Sequence, residues 1–208
     1  MYTSYEDKEK YSWSKAPRYK GEPMETGPLA RRALAYARKE KETRTMLDGF
    51  FKAASMKPEQ LFSTMGRTVC RVIETSMLIN RMKGWIDETE KRVKAGDTDI
   101  YKPWKMVDDA KGVGTCCVTR GALSHWIRIK GGVIENFQLV VPSTWNLGPR
   151  CIEGKLSPAE QSLIGCPCPD LERPVEILRT IHSFDPCIAC SVHMVDNRSG
   201  GIRKFKIR

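Results

Sequence analysis

The sequence predicts a mainly helical chain with one small antiparallel sheet, on three observations. Apolar residues recur at helical spacing from Pro58 to about Lys94, with Phe62, Met65, Val69, Ile73, Met77 and Met82 on one stripe. His125–Lys130 and Val133–Val141 alternate instead, and they flank Gly131-Gly132, which suits a two-residue hairpin turn. No window approaches the roughly 18 apolar residues of a membrane span.

Taken in order, residues 1–21 are charged and aromatic and read as an extended N-terminal segment. Pro28–Lys39 reads as a helix with Leu29, Ala33, Leu34 and Ala37 on one face. Arg38–Arg44 mixes charge signs and reads as a solvated turn before a second short helix over Arg44–Ser55. Pro58 opens the longest helix and Gly96 ends it. Its methionine-rich stripe is assigned to core or subunit interface. Asp97–Lys111 is expected to be a loop anchored by Trp104, and Gly112-Val113-Gly114 is too sparse for a phosphate loop. Arg120 precedes the first expected strand, in a glycine-containing loop able to aim it inward. Ser157–Ile164 and Arg173–His182 read as short helices. No internal repeat or low-complexity segment is present.

At 208 residues the chain is expected to form one domain. It is 40% hydrophobic and 29% charged, with a mean hydropathy of −0.44, enough apolar material for a core. Tyr2–Tyr19 is too polar for a secretory signal, and eight cysteines without one argue against a disulfide scaffold. Of the formal net charge of +10, residues 194–208 carry +4, from Arg198, Arg203, Lys204, Lys206 and Arg208 against Asp196. The +6 left on residues 1–193 does not argue for a nucleic-acid partner.

The most informative local pattern is Asp185-Pro186-Cys187-Ile188-Ala189-Cys190, followed by His193. Asp185 is a good helix N-cap and Pro186 suits the first helical position. Cys187 and Cys190 would then lie about 60° apart on one face, both able to reach one centre. His193 would sit about 120° round from Cys187 and serve a different neighbour. A helix N-terminus lowers thiol pKa, and thiolate is the form that binds nickel, zinc and low-spin iron. On spacing alone, a metal site, a redox dithiol and two buried cysteines stay open. A four-cysteine zinc module with Cys166 and Cys168 is a further reading.

The flanking residues carry more. Arg179-Thr180-Ile181-His182-Ser183-Phe184-Asp185-Pro186-Cys187-Ile188-Ala189-Cys190-Ser191-Val192-His193 resembles the C-terminal signature of the nickel–iron hydrogenase large subunit. Arg120-Gly121-Ala122-Leu123-Ser124-His125-Trp126, Val141-Pro142-Ser143-Thr144-Trp145-Asn146 and Gly148-Pro149-Arg150 resemble it too. So do Tyr11-Ser12-Trp13 with Lys15-Ala16-Pro17-Arg18-Tyr19, Glu25-Thr26-Gly27-Pro28-Leu29-Ala30-Arg31 and Ser63-Thr64-Met65-Gly66-Arg67. The motifs run in the family's order from about Lys8 to the end, and are most similar to its uptake branch.

The resemblance implies the C-terminal part of that large-subunit fold and a role in reversible H2 oxidation. It implies nickel, iron bearing cyanide and carbon monoxide, and magnesium. Cys187 matches the terminal nickel ligand, Cys190 the sulfur bridging nickel and iron, and His193 a ligand of the magnesium (or iron) site. Leu139 matches the residue giving that site a main-chain carbonyl. Arg120 matches the arginine above the open metal position, and Asp185 the carboxylate beside it. The family's other CxxC and its proton-passing glutamate belong to an N-terminal half with no counterpart here, so the chain alone is expected to be inactive. A split subunit and an incomplete gene product both fit.

The implied partners are that N-terminal half, an iron–sulfur small subunit, H2 and a nickel-dependent maturation endopeptidase. Residues 1–193 would form the subunit portion, and residues 194–208 an extension cut off after His193, a latch that keeps the last ligand segment open for nickel. Synthesis would be cytoplasmic, with a periplasmic or membrane-associated destination set by partner subunits. Thr119, Cys116, Cys117 and Cys151 depart from the family's pattern. A structural zinc scaffold and an inactive fragment are the alternatives. The related quinone-reductase subunit of respiratory complexes is disfavoured by the retained CxxC.

Overall fold

The computed structural model describes residues 14–186, 191–195 and 202–206, the last two stretches by backbone alone. Its helices are α1 (Pro28–Ala37), α2 (Lys41–Ala54), α3 (Thr64–Lys94), α4 (Pro142–Leu147), α5 (Pro158–Leu163) and α6 (Val175–Ser183). Strands β1 (Ala110–Val118), β2 (Gly121–Lys130) and β3 (Val133–Val140) form an antiparallel meander. Strands β4 (Ser191–Val195) and β5 (Ile202–Lys206) form a separate antiparallel pair. The expected class, mainly helical with a small antiparallel sheet, is the one observed. Among the described residues no helix is long and apolar enough to cross a membrane.

The helical core forms where three amphipathic faces meet. Leu29 from α1, Leu47 and Phe51 from α2, and Cys70, Ile73 and Met77 from α3 pack with Leu61 into one buried cluster. Each fully buried side chain such as Leu47 contributes about 2 kcal/mol by leaving water. A smaller cluster, Ala159, Ile181 and Phe184, joins α5 to the end of α6.

Several expectations are corrected. Helix α2 starts at Lys41, inside the stretch read as a solvated turn, because the Glu40 carboxylate accepts the Thr43 amide and caps it. The longest helix does not run unbroken from Pro58. Pro58–Leu61 is a 3-10 turn, and α3 starts afresh at Thr64 with the Ser63 hydroxyl accepting the Gly66 amide. The restart rotates the stripe: Gly66, Arg67, Cys70, Ile73 and Met77 are buried, while Phe62, Met65 and Met82 are exposed. Leu34 is exposed as well, and Trp104 is exposed and anchors nothing among the described residues. A strand not anticipated, β1, occupies residues read as loop and glycine-rich turn, in register with β2 from Ala110↔Ile129 to Val118↔Gly121. The Gly131-Gly132 turn holds, with both glycines at positive φ (57° and 73°), the conformation such hairpins need.

The helix expected to begin after Asp185 does not continue to His193. Asp185 has φ 55°, a left-handed value that closes α6 rather than the extended one of an N-cap. Cys187 and Cys190 lie outside the described residues. His193 lies in β4, opposite Lys204 of β5.

Gly66 marks the tightest approach in the core, since a Cβ there would run into the Leu61 carbonyl. Gly66→Ala is expected to destabilise the fold by about 3 kcal/mol. Gly84→Ala, on the same helix with open space around it, is expected to stabilise by about 0.5–1 kcal/mol. Chemical denaturation of the two variants against the parent chain checks both.

Candidate metal-site corner

Arg120 sits in the tight connection between β1 and β2, not in a loop before the sheet. Its Nε donates to the Asp185 carbonyl at 3.1 Å and lies 3.4 Å from Asp185 Oδ2. The structure thus brings together the two residues assigned a catalytic role, 65 positions apart in sequence. Both side chains remain partly exposed, so the pair lines a surface and is not sealed in the core.

The backbone around Arg120 is fixed by close approach. Gly121 has φ 133°, and a Cβ there would meet Thr26 Oγ1 and stand 2.7 Å from the Gly27 amide nitrogen. A Cβ on Gly27 would stand 2.9 Å from the Arg120 carbonyl oxygen. Only two glycines allow these segments to cross. Asn146 of α4, fully buried, secures the Thr26 side of the crossing. Its amide donates to the Thr26 carbonyl at 2.9 Å, and its Oδ1 accepts the Thr26 amide at 2.8 Å. Arg31 of α1 then collects the end of β1, donating to the carbonyls of Val118 (2.7 Å) and Thr119 (3.0 Å) and to the Cys117 sulfur (3.0 Å). The same guanidinium donates from Nε to Glu74 of α3 at 2.7 Å.

The Asp185 side is gripped by α3. Arg67 makes a two-pronged bond to Glu25 (2.9 and 2.8 Å), and its guanidinium stacks 3.8 Å from the Phe184 ring centroid. Arg71 donates to the Ser183 carbonyl at 3.1 Å, and Thr64 and Thr180 share a hydroxyl–hydroxyl bond at 3.1 Å. The last turn of α6 is thereby aimed so that Asp185 meets Arg120. Sequence reading assigned no role to Arg31, Arg67, Glu25 or Asn146. Their only signal was membership of the quoted motifs.

Leu139 lies on β3 opposite His125, whose ring meets Phe137 edge-on at 5.5 Å. Cys187 and Cys190 are outside the described residues, and of His193 only the backbone is described. Among the described residues no three His, Cys, Asp or Glu groups converge as a metal site. Cys166 and Cys168, the other half of the zinc reading, contact Thr180 Oγ1 and the Asp170 carbonyl instead. A groove of about 1150 Å³ runs between Glu25, Phe62, Arg67, Lys155 and Arg179, but neither Arg120 nor Asp185 lines it.

Comparison with known proteins gives a consistent result. A family profile described as nickel-dependent hydrogenase matches residues 1–193. The uptake hydrogenase large subunit of Bradyrhizobium diazoefficiens is 45% identical over 204 residues, covering 96% of this chain and 34% of that protein. The quinone-reactive Ni/Fe-hydrogenase large chain of Wolinella succinogenes is 41% identical, covering 97% of this chain and 35% of that one. The reduced Ni-Fe-Se hydrogenase of D. vulgaris Hildenborough superposes with a TM-score of 0.70 at 35% identity, over 87% of this chain and 38% of that chain. The chain thus spans about a third of the length of the curated relatives it matches.

The thiols outside the CxxC differ in environment. Burial pushes the Cys70 thiol up to about 12, the nearby Arg32 charge pulling weakly the other way. Local desolvation acts to raise Cys151, but the Lys155 and Glu153 amides and the Arg18 guanidinium outweigh it and hold the thiol below its ordinary value. Cys116 and Cys117 are exposed on β1. Alkylation at pH 8 followed by peptide mass mapping is expected to label Cys151, Cys116 and Cys117 while Cys70 stays unlabelled until the chain unfolds. Folding favours the neutral Cys70 thiol. That contribution is complete below the ordinary value of 9.0 and is lost as pH climbs towards 12.

Proposed function

The chain belongs to the nickel-dependent hydrogenase family, and from that premise we propose that it is the part of a large subunit that supplies two of the four thiolates of a nickel–iron centre for reversible H2 oxidation. The observation that carries this reading is the Arg120–Asp185 pair, held immediately before Cys187 by contacts from α1, α3 and α6. The donor chemistry agrees, since paired thiolates suit nickel and low-spin iron. In the proposed site Cys187 would hold nickel, and Cys190 would serve both nickel and an iron carrying cyanide and carbon monoxide. His193 and the Leu139 carbonyl serve a magnesium ion.

The metal pair supplies the Lewis acidity and redox capacity for H2 → 2 H⁺ + 2 e⁻. This chain's residues supply position and charge. Arg120 would present its guanidinium as a positioned cation and hydrogen-bond donor above the reacting position, able to polarise H2. Asp185 neutralises part of that charge and orients the guanidinium through Nε, leaving it little freedom to swing away. The other two thiolates, the proton-passing carboxylate and the iron–sulfur small subunit come from outside this chain, so turnover requires the assembled enzyme.

Residues 194–208 are proposed to be removed after His193 by a nickel-dependent endopeptidase. Support comes from β5, which pairs across the proposed cut, His193 opposite Lys204 and Met194 opposite Arg203. A paired strand would keep Ser191–Val195, which carries His193, extended until the tail leaves.

Cys190→Ser is expected to abolish nickel incorporation and tail cleavage together, read as a full-length intact mass and loss of nickel by elemental analysis. Normal cleavage in that variant would sink the latch. Arg120→Lys in the assembled enzyme is expected to leave metal content unchanged and to lower H2 turnover by about 10²–10³-fold, the scale seen when a preorganised charge-stabilising donor is removed. Equal turnover would remove Arg120 from the mechanism.

A further inference from the structure

Helix α3 is apolar on two opposite sides, and only one is covered. Cys70, Ile73 and Met77 pack with α1 and α2, and Gly66 lies against Leu61. On the other side Met65, Val72, Ile79, Ile86 and Val93 recur at intervals of seven, and all five are between 56% and 65% exposed. Three residues after each of the first four stand Thr68, Thr75, Met82 and Thr89. This is an a/d heptad seam, about 42 Å long at 1.5 Å per residue. Leu78 and Trp85, also exposed, widen it along one margin.

The threonines do not make the seam polar. Each hydroxyl donates to the carbonyl four residues back within α3: Thr68 to Thr64 (3.2 Å), Thr75 to Arg71 (2.8 Å) and Thr89 to Trp85 (2.8 Å). What they offer outward is a methyl group on a short side chain, leaving shallow hollows between the larger apolar residues. A 3.5-residue repeat sustained over four heptads selects a helix as partner, since only a second helix keeps such a seam in contact along its whole length. Nothing among the described residues covers it.

We propose that this seam docks a helix of about 28 residues or more from the remainder of the large subunit, with bulky apolar residues opposite Thr68, Thr75 and Thr89. The occupant follows from length. The relatives are about three times as long as this chain, so some two-thirds of a subunit of that size lies outside it. A helix apolar on both sides is the middle layer of a bundle, not a surface. A parallel second copy would set threonine against threonine in three layers and leave the hollows unfilled. The inference rests on family membership and not on the metal reading.

The test is association. The full chain is co-expressed with a tagged polypeptide comprising the part of the Bradyrhizobium diazoefficiens large subunit that this chain does not match, and retention is measured. The parent chain and Lys91→Glu, on the helix face away from the seam, are expected to be retained. Ile79→Glu combined with Ile86→Glu is expected to lower retention by about a hundredfold or more, because it buries two unpaired carboxylates. Both positions are exposed in the chain alone, so the double variant is expected to melt at the parent's temperature. Hydrogen exchange in Leu78–Lys94 is expected to slow only with the tagged polypeptide present. Failure of the parent chain to be retained, or retention of the double variant, overturns the proposal. So does parent-chain dimerisation that the double variant abolishes, which would make the occupant a second copy. Retention of the parent chain together with unchanged nickel content of the assembled enzyme carrying Cys190→Ser would defeat the metal reading and leave this one standing.

Discussion

The position of the site depends on the Arg67 guanidinium. It is nearly buried, bonded through two nitrogens to Glu25 and stacked on Phe184. Three segments meet on that one side chain: the stretch that opens α1, the first turn of α3 and the end of α6. A buried charge without its carboxylate costs several kcal/mol, so the ring and the acid are held wherever the guanidinium goes. Since Phe184 immediately precedes Asp185, the stack fixes the point from which the Asp185 carboxylate reaches Arg120.

The contacts close into a loop. α3 holds α6 through Arg67, Arg71 and Thr64, and Asp185 meets Arg120. The Arg120 turn rests on Thr26-Gly27, and Arg31 returns to α3 through Glu74. A catalytic group needs its orientation fixed by neighbours that are themselves fixed. Here the neighbours are a long helix and the close crossing of two segments at Gly27 and Gly121.

Much of this was legible in the sequence, for identifiable reasons. The Gly131-Gly132 hairpin was readable because its turn chemistry is local. α1 was readable from periodicity, and α6 was expected close to its observed bounds. Strand β1 was not, because Gly112, Gly114 and the cysteine pair lack strand patterning and its residues are nearly all exposed, so no alternation betrays it. Periodicity located α3 and part of its buried face, since Ile73 and Met77 are buried and Val69 packs against their cluster, but it wrongly added Phe62, Met65 and Met82. A helix apolar on two sides fits more than one stripe, and the restart at Thr64 chooses between them. Beyond Asp185, proline and CxxC spacing argued for a helix, but residues 191–195 pair with the tail, a contact that local propensity cannot register. Arg120 and Asp185 emerged from resemblance, since nothing local links positions 65 residues apart. Arg31 and Arg67 were passed over because an arginine in a helical pattern reads as solvent-facing until the structure shows the carboxylate it meets.

The clamp between Asn146 and Thr26 differs in kind from the rest of the loop. It is neutral on both sides, fully buried, and made of an amide that mimics a backbone pair. Dissolved ions weaken charged links such as Arg31–Glu74 by screening, but they do not act in that way on an amide pair. The two halves of the site therefore have different sensitivities to their medium. In brine the charged hold of the helices weakens more than the neutral clamp on Thr26, against which the Arg120 turn rests.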